Sequence, residues 1–484
     1  MVFSSPIFLW VFLPITLFAY FIVGNKLKNY VLLLANIIFY AWGEPKFVLF
    51  IFISIIANYF IGLWVENEND HKKRKNALIA GVVFNLSFLL FFKYFNFIIQ
   101  NVNALNDIFG VANVRFPKIF LPLGISFYTF QAMSYIIDIY RGEIKAQKNI
   151  FILAMYKTLF PQLIAGPIVR YKDIENQMEN RKTDFGRISY GIQRFITGLG
   201  KKVLIANTVA ALGDEIFLMK GGDLSLGLTW LGVICYTLQI YYDFSGYSDM
   251  AIGLGSIFGF TFLENFNYPY ISKSIKEFWR RWHISLSSWF RDYLYIPLGG
   301  NRVSKLRSFN NLLIVFFLCG LWHGASWNFV AWGLFHGFFL VLERTGFGKF
   351  IDKLWSPLKH IYALFMVMIG WVLFRTETLG AAAHYIKTML GFGKLTSAQY
   401  PVVDYLDKGA VLAIVFGIIL ATPIAVKIKA AVVSFTVKLE SEIHASIVMS
   451  TLKVFYIGAI FSILILCMMS LASGTYNPFI YFRF

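Results

Sequence analysis

Apolar runs of membrane-spanning length recur from one end of this sequence to the other. They lie near 6–24, 30–42, 45–64, 77–99, 118–140, 203–219, 226–247, 311–342, 358–374, 409–427 and 454–472. A hydrocarbon core about 30 Å thick is crossed by about 20 apolar residues in a helix. Backbone inside lipid must pair its own N–H and C=O groups, and for runs of this length the helix does so. The expectation is an all-α polytopic membrane protein of about 11 membrane segments. No linker rich in Ser, Gly or Pro divides the chain and no internal repeat is visible, so 1–484 reads as one domain.

Composition agrees. Hydrophobic residues make up 58% of the chain and charged residues 14%, against about 25% charged in soluble domains. That excludes the disordered, collagen-like, coiled-coil and disulfide-scaffold classes. Cys235, Cys319 and Cys467 sit inside apolar segments without metal-ligand spacing. They read as small buried apolar residues, and no metal site is expected. The start has no basic n-region and no small-residue cleavage site, so the first segment reads as a retained helix.

The formal net charge is +18. In a soluble chain that excess would suggest nucleic acid. Here the basic residues fall between apolar runs, which suits positive-inside topology and anionic lipid headgroups, and no nucleic-acid partner is expected. Lys26 and Lys28 follow the first run, His71 to Lys75 the third, and Arg141, Lys145 and Lys148 the fifth. All become cytoplasmic if the N-terminus is outside. Lys427, Lys429, Lys438 and Lys453 precede the final run, which puts the tail from about 473 outside as well.

Two stretches break the hairpin pattern. Residues 150–169 are apolar but interrupted by Pro161, Gly166 and Pro167, with basic residues on both flanks, so the stretch reads as re-entrant. The 311–342 run is too long for one ordinary span, and basic residues again flank both ends. A pair of half-helices broken near His323 keeps the parity; one long tilted helix is the rival reading.

Ionisable groups at membrane depth cost about 2.5–3.5 kcal/mol, so they mark cavities or partners. Three places stand out. Glu277 to Tyr293 mixes charges with aromatics, and composition favours an interfacial helix whose arginines snorkel to phosphates. Leu321 to Asn328 holds His323 between Trp322 and Trp327; a working histidine and one bonded to a neighbouring helix fit equally well. Gln239 to Met250 holds Asp243 and Asp249, open to a proton relay, a cation site or a structural network. Their spacing of six keeps them off one helical face. His336 reads as packing, and His71, His360, His384 and His444 as solvated or packed. No P-loop, G-x-G-x-x-G, G-x-S-x-G, H-E-x-x-H or EF-hand pattern stands out.

Trp282-His283-Ile284-Ser285-Leu286-Ser287-Ser288-Trp289-Phe290-Arg291-Asp292-Tyr293, followed by Leu321-Trp322-His323-Gly324-Ala325, resembles the membrane-bound O-acyltransferase family. It looks most like the bacterial branch of alginate and peptidoglycan O-acetyltransferases. Phe3-Ser4-Ser5-Pro6, Phe39 to Pro45, Phe160 to Ile168 and Tyr242 to Asp249 fit the same branch. The resemblance implies a helical, funnel-shaped fold with a central tunnel. It implies acyl transfer from a cytoplasmic thioester, acetyl-coenzyme A, toward an extracytoplasmic polysaccharide or partner acetyltransferase, in a bacterial inner membrane. No permanently bound cofactor is implied. His323 matches the family's catalytic histidine and His283 its second active-site position. A neutral imidazole can accept the proton of an attacking hydroxyl, while the thioester arrives already activated.

Arg280, Arg281, Arg302 and Lys305 are candidates to meet coenzyme A phosphates. Tyr481, in an aromatic C-terminal tail, resembles a tyrosine-bearing signature of this branch and of partner peptides of D-alanyl transferases. That implies a possible acyl carrier; an aromatic belt anchoring the last helix is the simpler reading. The rival functions are a D-alanyl transferase fed by an acyl-carrier protein and a polytopic transporter.

Overall fold

The computed structural model describes residues 1–219, 222–396, 399–437, 442–474 and 476–480. Among them the regular elements are helices, and one isolated bridge joins Ser225 to Lys394. Six helices are long and apolar enough to cross a membrane: Pro45–Asn67, His71–Phe109, Phe185–Leu218, Lys305–His323, Ser356–Arg375 and Ile443–Ala472. The pair Lys408–Leu420 and Ile424–Thr436, bent by 59° at a break, makes a seventh if counted as one span. Pro423 stands at that break and removes a helical donor. Phe8–Ile22 and Trp327–Leu342 are shorter apolar helices. This is a multi-pass, all-helical membrane protein.

The helix Leu226–Ile257 is the buried axis, with almost every side chain inside the protein. Phe185–Leu218 packs along it. Here the structure corrects a sequence boundary. The 203–219 run is only the second half of a helix that already carries Arg194, Lys201 and Lys202. Those cations face carboxylates on the buried axis: Arg194 and Lys201 each lie 2.6 Å from Asp249, and Lys202 lies 2.7 Å from Asp243. Pairing removes the charge that would otherwise have ended the span. Asp243 and Asp249 therefore belong to a structural network, each with its own cations, and form no joint acid/base pair.

The 118–140 run also shortens. Helix begins only at Ile125, after Gly124 turns the chain at φ 76°. A Cβ there would lie 2.6 Å from the Leu163 carbonyl oxygen, so this close crossing suits glycine.

Residues 150–169 fold back on themselves. The helix Ile150–Thr158 ends at Leu159, the single turn Phe160–Leu163 follows, and an extended return brings Val169 to the Tyr156 hydroxyl at 3.0 Å. The Gln147 side chain donates to the Tyr171 hydroxyl at 2.9 Å, so the stretch begins and ends at the same place. Asn36 steadies the fold, accepting from the Phe160 N–H and donating to the Met155 carbonyl.

The segment from Glu277 to Tyr293 is not a surface helix. It forms two short helices, Ile275–Arg281 and Ile284–Phe290, and then one further turn. Phe278, Trp279, Trp282, Trp289, Phe290 and Tyr293 are all buried. The aromatics fill the core, and Arg280 and Arg291 remain at the surface.

Candidate active site

The 311–342 run is a helical hairpin. Lys305–His323 ends at Gly324, whose backbone is extended, and Trp327–Leu342 returns beside it. Arg344 donates to Ser308 at 3.2 Å, so the far ends of both helices meet. His323 is the last residue of the outgoing helix and sits at the tip. Close packing depends on Gly320 and Gly333: a Cβ at either would overlap a backbone carbonyl of the opposite helix, that of Phe329 or Phe316. Overpacking costs about 1–3 kcal/mol even where the surroundings adapt, and rigid backbone adapts least. Gly333→Val should therefore splay the tip, lower the thermal midpoint of the purified protein and remove His323-dependent activity.

His323 is buried, and its Nε2 has no hydrogen-bond partner among the described residues. Trp322, Trp332 and Phe374 ring it edge-on, with centroids 4.9–5.2 Å away. The side chain lines two cavities. One, of about 380 Å³, is also walled by Glu44, Lys93, Pro122, Ser126 and Trp322. The other is a narrow space of about 20 Å³ lined by Phe244, Trp282, Trp332, Trp371 and Ile480.

His283 lies between the two short helices with φ 44°, a left-handed conformation strained for a non-glycine residue. Its Nδ1 lies 3.1 Å from Asn265 Oδ1, which also accepts from the Ser285 N–H and hydroxyl. An acceptor there makes Nδ1 the protonated nitrogen and leaves Nε2 as a bare lone pair. That Nε2 is buried and has no partner among the described residues. Trp322 contacts both imidazoles, with centroids 6.1 Å from His283 and 4.9 Å from His323. The structure thus brings the two sequence-selected histidines around one indole, 40 residues apart in the chain.

The four basic candidates are not gathered at the histidines. Arg280 is exposed, and Arg281 pairs with Glu277 at 2.9 Å. Arg302 and Lys305 are exposed at the far end of the hairpin. At about 1.5 Å per residue, Lys305 lies about 27 Å from His323 along the helix.

Tyr481 lies outside the described residues, as does Lys438. The chain just before Tyr481 enters the core. Phe479 and Ile480 are 5% and 2% exposed, so this part of the tail is no lipid-facing belt. Asp243 accepts from the Ile480 N–H at 2.8 Å, and Lys202 donates to the Pro478 carbonyl. Asn477 bonds Ser4 and Asn207, and the Tyr476 hydroxyl bonds Asp214 at 2.8 Å. Ile480 ends this anchored segment on the wall of the narrow space beside His323.

Sequence reasoning missed Lys93. It is buried beside His323 and lines the larger cavity. The signal was present: a lysine within the 77–99 apolar run meets the same cost criterion as His323. His336, in contrast, packs as expected against Phe278, Trp279 and Trp332.

Comparison with known proteins adds the chemistry. Residues 143–374 match the model of the MBOAT, membrane-bound O-acyltransferase family, and this span contains both histidines. The chain is 46% identical over 394 residues to a protein of Pseudomonas aeruginosa named "Probable alginate O-acetylase AlgI", covering 81% of this chain and 75% of that one. It is 33% identical to the peptidoglycan O-acetyltransferase of Helicobacter pylori, covering 100% and 98%. It is 32% identical over 262 residues to the teichoic acid D-alanyltransferase of Bacillus subtilis, covering 51% and 65%. With a hairpin that delivers a buried histidine to two cavities, and relatives of this kind across its length, the chain belongs to the membrane-bound O-acyltransferase family and is an O-acyltransferase.

Proposed function

We propose that this protein moves an acetyl group from acetyl-coenzyme A in the cytoplasm to an extracytoplasmic polysaccharide or to a partner acetyltransferase that serves one. It does so from a bacterial plasma membrane, with about 11 segments around a central tunnel. Its N- and C-termini both lie outside, and 150–169 is a re-entrant loop. The observation that carries the reading is His323: buried, with a free Nε2, and exposed to two separate spaces. The larger space has room for a substrate group against His323, while the smaller holds about one water. The larger cavity includes Glu44, in the turn between the second and third apolar runs, which falls outside when the basic clusters are cytoplasmic and suits an acceptor entering there.

In the reaction, an acceptor O–H gives its proton to His323 Nε2 as its oxygen bonds the thioester carbonyl carbon. The tetrahedral oxyanion collapses, the C–S bond breaks, and the thiolate leaves with the proton that His323 held. The bare Nε2 of His283 is a second proton acceptor against the same Trp322 ring. Arg280, Arg281, Arg302 and Lys305 are proposed to meet the donor's phosphates at the cytoplasmic rim. Lys305 then lies one hairpin length, about 27 Å, from His323, so a donor whose phosphates it meets must send its thioester arm into the protein.

Tyr481 is proposed as a carrier. Its phenol, with a reference pKa of about 10, forms an ester that remains a good acyl donor. The support is the anchored segment 476–480, which brings the chain to the His323 cavity. Tyr481→Phe keeps the ring and removes the hydroxyl. It should still insert and fold, yet fail to pass acetyl to the acceptor; transfer at the wild-type rate would leave the tail as an anchor. The donor is tested by presenting the purified protein with acetyl-coenzyme A or a D-alanyl carrier-protein thioester. His323-dependent loss of acetyl thioester is expected. Consumption of the D-alanyl thioester alone would transfer the reading to D-alanylation, the activity named in the more distant relatives.

A further inference from the structure

A helix ends with four carbonyls that its own turns leave unpaired. In the helix that delivers His323, these belong to Gly320, Leu321, Trp322 and His323. The Gly324 N–H serves the first. The other three are served by two consecutive residues more than two hundred positions away in the chain. The Tyr94 hydroxyl donates to the Leu321 carbonyl at 2.8 Å. The Lys93 ammonium donates to the Trp322 carbonyl, and to the His323 carbonyl at 3.2 Å. Its remaining hydrogen bond, at 3.1 Å, goes to the Ser126 hydroxyl.

We infer that Lys93 and Tyr94 are positioning residues for transfer: together they cap the catalytic helix from outside and fix where the His323 imidazole stands. Three features argue for more than packing. A buried ammonium is costly unless its three donors are met, and here all three are. Two of them are spent on the backbone of the reacting residue and its neighbour. A cation at a helix C-terminus also faces the negative end of the helix dipole. Second, the ammonium stands 5.8 Å over the Trp322 ring, which contacts both histidines, so one group bears on both. Third, Lys93 and Tyr94 end a single π-helical turn, Leu90–Tyr94, within an otherwise α-helical span. The widened turn lets two neighbouring side chains reach the same helix end, and such turns recur at functional sites.

The inference rests on His323 as the reacting base, and the experiment separates the two claims. Full-length Lys93→Met, Lys93→Arg and Tyr94→Phe proteins are assayed for donor KM and kcat. In parallel, the rate at which diethyl pyrocarbonate modifies His323 is followed by peptide mass spectrometry. A displacement of about 1 Å at a reacting group costs about 100-fold in rate. Lys93→Met should therefore lose kcat on that scale while donor KM stays near wild type, and should change the His323 modification rate. Lys93→Arg, which keeps donors and charge, should recover part of the loss. Tyr94→Phe, with one of three carbonyls uncapped, should lie between wild type and Lys93→Met. Wild-type kcat and modification rate in Lys93→Met overturn the inference. If Lys93→Met fails to insert, Tyr94→Phe decides alone, and its wild-type kcat overturns the cap. A wild-type protein that shows no His323-dependent loss of thioester would defeat the functional reading instead, while the modification rates would still judge the cap.

Discussion

His323→Ala should remove acetyl transfer while leaving the protein inserted and folded. A general base contributes about 10²–10⁴-fold to rate, and the loss should fall in that range. The residue contributes little to stability by polar contact, since its Nε2 bonds nothing among the described residues. Alanine also leaves the hairpin glycines and the capped carbonyls in place. The measurement is turnover of acetyl thioester by purified protein at matched thermal midpoint. Wild-type turnover would remove His323 as the base. His283→Ala should also impair transfer. His283→Asn should be milder, since an amide can still pair with Asn265 and accept a hydrogen bond.

Lys202→Met should be strongly destabilising. Lys202 and Asp243 are 3% and 2% exposed at their side chains, and the ion pair is 2.7 Å long. Removing one partner of a buried pair costs about 3–5 kcal/mol, because the other charge is left uncompensated. Here the same ammonium also holds the Pro478 carbonyl, so the tail loses a contact at the same time. The expected result is a lowered thermal midpoint together with faster proteolysis of residues 476–480. Lys202→Met combined with Asp243→Leu should recover part of the stability but not the seating of the tail, because Asp243 also accepts from the Ile480 N–H. If the single variant melts like wild type, the pair is not a structural clamp.

The all-helical membrane character and the hairpin were legible in the sequence for a simple reason, while six candidate spans among the described residues, or seven with the bent pair, stand against about 11 expected segments. Lipid demands long apolar helices, and a histidine inside one is conspicuous. The same logic misplaced boundaries wherever charge was cancelled by a partner far away. Lys201 and Lys202 look like the end of a loop until Asp243 and Asp249 are seen across the helix interface. Glu277 to Tyr293 has the pattern of a surface helix, because burying one aromatic face gives the same periodicity in lipid headgroups as in a protein core. Lys93 is marked in the sequence only by its place in an apolar run, since its partners, two backbone carbonyls and the Ser126 hydroxyl, leave no charged signature. The four arginine and lysine candidates rest on charge and on a proposed cytoplasmic side, and neither says which basic residues stand near one another.

The anchoring of residues 476–480 has a consequence for biogenesis. They follow the Ile443–Ala472 helix, yet Ile480 supplies a wall of the space beside His323 and Asp243 waits for the Ile480 N–H. During synthesis both histidines are in the membrane long before that wall exists. A nascent chain therefore carries an incomplete cavity, and the site is closed only when the segment following Ile443–Ala472 docks. Docking of residues 476–480 is in this way a condition for a closed site, so chains arrested before residue 476 should lack His323-dependent activity.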